Sequence, residues 1–182
     1  MTKERRVVVV MAVIFAMLMS LEVVAQAAAR RALEADARPW IGAIDRVDQA
    51  LATSDVSGAE RAMHEAYVAA MGSRRWDSML AVGDAYTRLG EATGYPTTGR
   101  AKARHAYLTA FFRARAEQSV DGVLRTTEAF SDLGDRAVAE QCLKTAEALA
   151  AKSKSHGARD RVAAFAERLD ARVATLPAPA GL

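Results

Sequence analysis

Several residue types are scarce in this sequence of 182 residues, and each shortage narrows what the protein can be. Cys142 is the only cysteine, so no internal disulfide can form, and a lone cysteine on an apolar helix face is typical of a small core residue. Between Pro39 and Pro177 the only proline is Pro96, so long helices are permitted there. Aromatic residues make up only 6% of the chain while alanine is abundant, which suits closely packed helices.

The patterns of nucleic-acid binding and of catalysis are also missing. The net charge is only +3, and no run of five or more basic residues occurs. There is no G-x-S-x-G, no H-E-x-x-H and no glycine-rich phosphate loop. His64, His105 and His156 lie 41 and 51 residues apart without a cysteine partner, which is not the spacing of metal ligands. We therefore predict a protein that is not an enzyme, with no catalytic residue, no metal and no cofactor, and no binding to nucleic acid.

Residues 1–27 are predicted to direct the chain to a membrane. A basic flank precedes an unbroken apolar run over 7–19, and small residues suited to cleavage follow near Ala25, as in a secretory signal peptide. The apolar run is short against the roughly 20 residues of a spanning helix. Arg30 and Arg31 nevertheless disfavour export and favour a retained transmembrane anchor. Cleaved signal and retained anchor both stay open, and both predict an exported or membrane-anchored protein on the periplasmic side of the cell envelope.

Residues 76–146 contain a sequence repeat, in which the same predicted helix pair occurs twice. At an offset of 44 positions, seven residues of one predicted helix superpose on seven residues of another. The residues of the first helix are Trp76, Met79, Leu80, Gly83, Tyr86, Leu89 and Gly90. Their counterparts in the second are Val120, Val123, Leu124, Thr127, Phe130, Leu133 and Gly134. At an offset of 36, Ala103, Tyr107 and Ala110 superpose on Ala139, Leu143 and Ala146. Such self-similarity indicates stacked helical hairpins. Small residues (Gly83, Ala103, Ala139) are predicted to let helices approach, and Tyr86, Tyr107 and Phe130 to fill the space beside them.

The boundaries of the other elements follow from capping and turn residues. Ser57 with Glu60 has the spacing of a capping box, Ser119 is predicted to open a helix, and Gly134 to end one. Residues 91–100 predict a loop, either a binding loop or an inert insertion, that accounts for the difference between the two offsets. The predicted organisation is a signal peptide or anchor at 1–27, a helical linker at 28–38, a helical repeat domain at 39–176 and a disordered tail at 177–182.

The repeated residues resemble the tetratricopeptide repeat. That pattern has a tryptophan, then glycine and tyrosine in its first helix, and alanine and an aromatic residue in its second. Trp76, Gly83, Tyr86, Tyr107 and Ala110 match it in the first copy, and the second copy has Thr127 where the glycine is expected. The resemblance implies an all-α fold: a short α-solenoid of about three antiparallel hairpins with a C-terminal capping helix.

The resemblance also implies a site, because in such arrays the first helices of successive hairpins line a groove. The groove positions of the two copies are Asp77, Asp84, Arg88, Asp121, Glu128 and Asp132. Five acids and one base predict a scaffold or adaptor that binds a protein or peptide partner through a basic segment. One alternative is a structural or assembly subunit of a membrane complex, held through its N-terminal helix. Another is an enzyme or small-ligand binder with a pocket near Trp76, Tyr95 and Tyr107.

Overall fold

The computed structural model describes residues 38–153 and 156–175, and the regular structure within them is entirely α-helical. Seven helices follow one another: α1 (Pro39–Ala52), α2 (Val56–Ser73), α3 (Trp76–Ala92), α4 (Pro96–Ala116), α5 (Val120–Asp132), α6 (Arg136–Lys152) and α7 (His156–Thr175). The described ranges hold no strand, so the predicted all-α class is confirmed. The predicted signal peptide or anchor, nearly all of the predicted linker and the predicted tail lie outside the described residues. Among the described helices, none has the length and apolar character that a membrane span requires.

Short turns of two or three residues join the first six helices, so consecutive helices run antiparallel. The most extensive contacts are those within the pairs α3–α4 and α5–α6, and α4 packs on α5 between them. Contacts also join alternate helices, α3 with α5 and α5 with α7. This arrangement places α3, α5 and α7 side by side, and the candidate site lies on these helices.

The predicted helix ends are partly confirmed. Ser119 precedes α5, and its Oγ accepts a hydrogen bond of 3.0 Å from the Gly122 amide. Gly134 has φ +83°, a left-handed conformation that glycine adopts without steric cost. The prediction of a capping box at Ser57 is wrong, because α2 already begins at Val56. The N-cap of α2 is Asp55, whose carboxylate accepts a 2.9 Å hydrogen bond from the Gly58 amide.

The predicted loop over 91–100 is wrong, because only residues 93–95 separate α3 from α4. α3 has 17 residues against 13 in α5, and α4 has 21 against 17 in α6. Each helix of the first hairpin is therefore about one turn longer, and these turns account for the difference between the two offsets. Gly90 does not end its helix. A Cβ on Gly90 would lie 2.7 Å from the Gly99 Cα, so the added turns cross where neither backbone carries a side chain.

The core is built from aromatic rings against small residues, as predicted. The Tyr107 ring covers Gly83 so closely that a Cβ there would lie 2.2 Å from the ring. Phe130 is completely buried and meets Tyr107 edge to face, with the ring centroids 5.9 Å apart. Burial of each such side chain contributes about 1.5–3 kcal/mol. Tyr86 is only half-buried, so the prediction that its ring fills space between the helices is only partly confirmed.

Arg113 of α4 links three helices through backbone carbonyls. Its guanidinium donates hydrogen bonds to the carbonyls of Ala70 (3.0 Å) and Met71 (3.2 Å), which lie in the last turn of α2, and of Arg75 (3.0 Å), just before α3. Carbonyls at the end of a helix have no partner within the helix, so a guanidinium is an effective cap there. Burial lowers the pKa of Arg113. Arg113, in the hairpin α3–α4, therefore caps the end of the preceding helix α2.

Candidate functional site

The six predicted groove residues lie on two helices that contact each other. Asp77, Asp84 and Arg88 belong to α3, and Asp121, Glu128 and Asp132 belong to α5. They occupy equivalent positions of the two helices, since each residue of the second set follows its counterpart by 44 positions. Whether a partner uses them stays a prediction, and the structure adds what each of them contacts.

Arg88, Asp121 and Asp77 take part in ion pairs. Arg88 contacts Asp48 of α1 at 3.1 Å, and Asp121 contacts Arg161 of α7 at 3.1 Å. Both pairs join one odd-numbered helix to another across 40 residues of sequence. The third pair is local, with Arg75 and Asp77 at 2.7 Å. Because these side chains are partly exposed, each pair contributes only about 0–1 kcal/mol, and their main effect is to offset the charges of the surface.

Asp84 is the predicted groove acid that contacts Tyr107 of α4. The Tyr107 hydroxyl donates a hydrogen bond of 2.7 Å to its carboxylate. Burial raises the pKa of Asp84, while the Tyr107 hydrogen bond and the positive charges of Arg88 and Arg125 partly oppose this effect, and Asp132 adds to it. Burial and the Asp84 charge in turn raise the pKa of Tyr107 far above its ordinary value. Asp84, Arg88 and Asp132 therefore belong to one local cluster of charges.

A groove of about 550 Å³ is bounded by the first residue of α3, by α5 and by α7. We call it the α7 groove. Its lining residues are Trp76, Asp121, Leu124, Arg125, Glu128, Arg161, Ala164, Phe165 and Arg168. The apolar part is formed by Trp76, Leu124 and Phe165, and the Arg168 guanidinium lies 5.6 Å from the centroid of the Phe165 ring. Glu128 is half-buried in the groove and makes no ion pair with any described residue. An apolar floor beside charged groups is a common arrangement for binding a peptide side chain.

Two features of this groove were not predicted from the sequence. The last helix was interpreted only as a cap, whereas α7 forms one wall. Arg125, Arg161 and Arg168 also line the groove, which gives it a mixed charge instead of the acidic character that the six predicted residues suggest. The positions of the arginines on α7 were visible in the sequence, but which side of α7 meets α5 depends on packing.

The pocket of the small-ligand alternative is not formed. Trp76 is the first residue of α3, and Tyr95 follows its last turn, which separates them by about 25 Å along a helix of this length. Tyr107 is buried against Gly83 between them. Among the described residues, no three His, Cys, Asp or Glu side chains are grouped as metal ligands.

Comparison of the chain with protein-family models, with curated proteins and with solved structures finds no match.

Proposed function

We propose that this protein is a non-catalytic scaffold of the tetratricopeptide type, a short α-solenoid in which α1–α2, α3–α4 and α5–α6 are the hairpins and α7 is the cap. In this proposal the α7 groove binds an extended or helical segment of a partner protein. The observation that carries it is the groove itself, with its apolar floor and a half-buried carboxylate, Glu128, that makes no ion pair with a described residue.

The chemistry of the groove suggests what the bound segment carries. An apolar side chain fits against Trp76 and Phe165, and a basic residue can pair with Glu128. Because Asp121 is already paired with Arg161, the preference for a basic partner depends mainly on Glu128. Arg125 and Arg168 provide contacts for acidic groups of the same segment.

The test fills the groove without disturbing the core. Ala164 is exposed and lines the groove, so Ala164→Trp should occupy it while the protein stays folded. Ala148→Trp, on an exposed position of α6, is the matched control. Affinity capture from the native extract with quantitative mass spectrometry should show the same partner lost with Ala164→Trp and with Glu128→Lys, and retained with Ala148→Trp. Equal capture by all four proteins would contradict the proposal.

The location at the cell envelope depends on residues 1–27 and stays a prediction, as does the alternative of a membrane-complex subunit held through this segment. N-terminal sequencing of the mature protein, together with its behaviour in membrane fractions, separates the two. A cleaved, soluble monomer would contradict the membrane-complex alternative and leave the groove proposal intact.

A further inference from the structure

A second concave surface lies between α2, α3 and α4. It has a volume of about 370 Å³, and we call it the tyrosine cleft. Its lining residues are Tyr67, Met79, Tyr86, Thr98, Ala101, Lys102, His105 and Thr109. No carboxylate is among them. None of these residues belongs to the α7 groove, so the tyrosine cleft is a separate site.

The helix that forms one wall of this cleft has an unusual charge. α4 carries five Arg or Lys residues and His105, but no Asp or Glu in its 21 residues, and the next acid, Glu117, follows its end. Two of the five cations are used within the fold: Arg104 pairs with Asp135, and Arg113 caps α2. Arg100, Lys102 and Arg115 make no ion pair with a described residue. Of these three, Lys102 lines the tyrosine cleft, and a cation there without an internal counter-charge favours an anionic partner.

Lys102 is the cation that is placed at the cleft. Its ammonium lies 5.5 Å from the centroid of the Tyr86 ring, which anchors the charge over an aromatic face. A tyrosine hydroxyl is neutral at physiological pH and able to donate a hydrogen bond. Burial and the neighbouring Tyr67 raise the pKa of Tyr86 further. The cleft therefore presents a cation and hydrogen-bond donors around an apolar base.

The apolar surface continues from the cleft toward the end of both helices. One turn after Tyr67, α2 exposes Met71, and one turn after Thr109, α4 exposes Phe112, of which 58% is accessible to solvent. Val68 is also exposed, at 55%. Exposed apolar side chains on helices that line a cationic cleft are typical of a binding surface for a protein segment.

We propose that the tyrosine cleft is a second docking site, which takes an acidic segment of a partner protein and holds one of its apolar side chains against Tyr67 and Tyr86. The acidic residues of that segment pair with Lys102 and are attracted by the remaining charge of α4, while Met71 and Phe112 cover further apolar residues. A concave cleft with hydroxyls and an aromatic wall favours a peptide over a flat lipid surface.

The test uses short fluorescein-labelled peptides of Glu and Ser around one central Leu or Phe, with Lys versions of the same peptides. Fluorescence polarisation should show binding of the Glu peptides to the full protein. Lys102→Glu should raise their Kd about 10-fold, because attraction becomes repulsion, and Phe112→Ser should weaken binding as well. Lys144→Glu, the same change at an exposed lysine of α6, is the control and should leave the Kd unchanged. Circular dichroism melting checks that the variants are folded, which their exposed positions favour.

Other occupants give other results. Absence of binding by every Glu peptide, equal binding of the Lys peptides, or a Kd that Lys102→Glu does not change would each overturn the proposal. Binding only to vesicles of phosphatidylcholine and phosphatidylglycerol, or concentration-dependent self-association lost with Lys102→Glu, would overturn it in favour of a lipid surface or of a second copy. Loss of the Glu peptides with Ala164→Trp and not with Lys102→Glu would assign them to the α7 groove instead.

Discussion

The hairpin α3–α4 has Gly83 beneath Tyr107, whereas the hairpin α5–α6 has Thr127 and Leu143 at the equivalent positions. The first pair combines the smallest residue with a large ring, and the second combines two residues of intermediate size. Thr127 is completely buried, and its hydroxyl donates to the Val123 carbonyl at 2.8 Å, so its polar atom is satisfied. The two hairpins therefore fill equivalent positions with different combinations of side chains.

The two hairpins also differ in length and charge. The extra turns of α3 and α4 cross at Gly90 and Gly99. α4 contains basic residues and no acidic residue, whereas α6 contains both acidic and basic residues. The first hairpin therefore presents the tyrosine cleft, and the second contributes α5 to the α7 groove. Similar hairpins thus expose different surfaces.

The largest expected effect concerns the aromatic position that the two hairpins share. Phe130 is completely buried, so Phe130→Ala should lower the free energy of unfolding by about 3–5 kcal/mol. Tyr86, its equivalent, is half-buried, and Tyr86→Ala should cost about 1–2 kcal/mol because less apolar area is lost. Urea denaturation of both variants measures the two values. Equal losses would mean that the hairpins are packed alike.

Exchanging the paired side chains tests whether their volumes compensate. Gly83→Thr alone should destabilise by about 2–3 kcal/mol, because its side chain would meet the Tyr107 ring. Adding Tyr107→Leu, which copies the second hairpin, should recover about 1 kcal/mol or more of that loss in a double-mutant cycle. Strictly additive losses would argue against compensation.

The crossing of the longer helices should tolerate no side chain. Gly90→Ala should cost about 1–2 kcal/mol, since its Cβ would press on the backbone of α4 at Gly99. Gly72→Ala, in α2, is the control: no atom lies within 4 Å of the added Cβ, and the change should stabilise by up to about 1 kcal/mol. Thermal melting distinguishes the two signs. A neutral Gly90→Ala variant would show that the helices can move apart without cost.

The smallest expected effect is a pH dependence of stability that arises from Asp84, in the hairpin α3–α4. The pKa of Asp84 is raised in the folded protein, so the folded state holds this proton more tightly than the unfolded state. Its contribution to stability is present below the ordinary carboxyl pKa of about 4 and is lost as the pH rises through the raised value. The stability of wild type relative to Asp84→Asn should therefore fall over this window when Tm is measured against pH. Parallel curves would contradict the assignment.

The sequence predicted the parts of the fold that depend on local patterns. Helical periodicity and the capping of Ser119 were sufficient for α5. The sequence also predicted that large rings fill the space beside small residues, and the structure adds that the Tyr107 ring covers Gly83. The loop over 91–100 failed because Gly94, Pro96 and Gly99 look like a turn. In the structure Pro96 occupies the first turn of α4, where proline is tolerated, and Gly99 serves a helix crossing. Glycine at a crossing and glycine in a loop cannot be told apart from sequence alone.

The candidate site was less accessible to sequence reasoning. Equivalent positions on α3 and α5 were identified, but their charges are offset by Asp48 and Arg161, which lie on helices 40 residues away. The basic character of α4 was readable in the sequence, since its residues contain no acid. Its importance depends on the cleft that α2 and α4 form together, and this is a property of the packing.

The three carbonyls held by Arg113 have a consequence for cooperativity. A single guanidinium connects the end of α2 and the start of α3 to the body of the first repeat. The Ser78 hydroxyl also donates to the Ala70 carbonyl, and α1 and α2 share a hydrophobic core with α3. Loss of the guanidinium should therefore loosen this junction without detaching the hairpin, and the amides of α2 should exchange with deuterium faster than in the wild type.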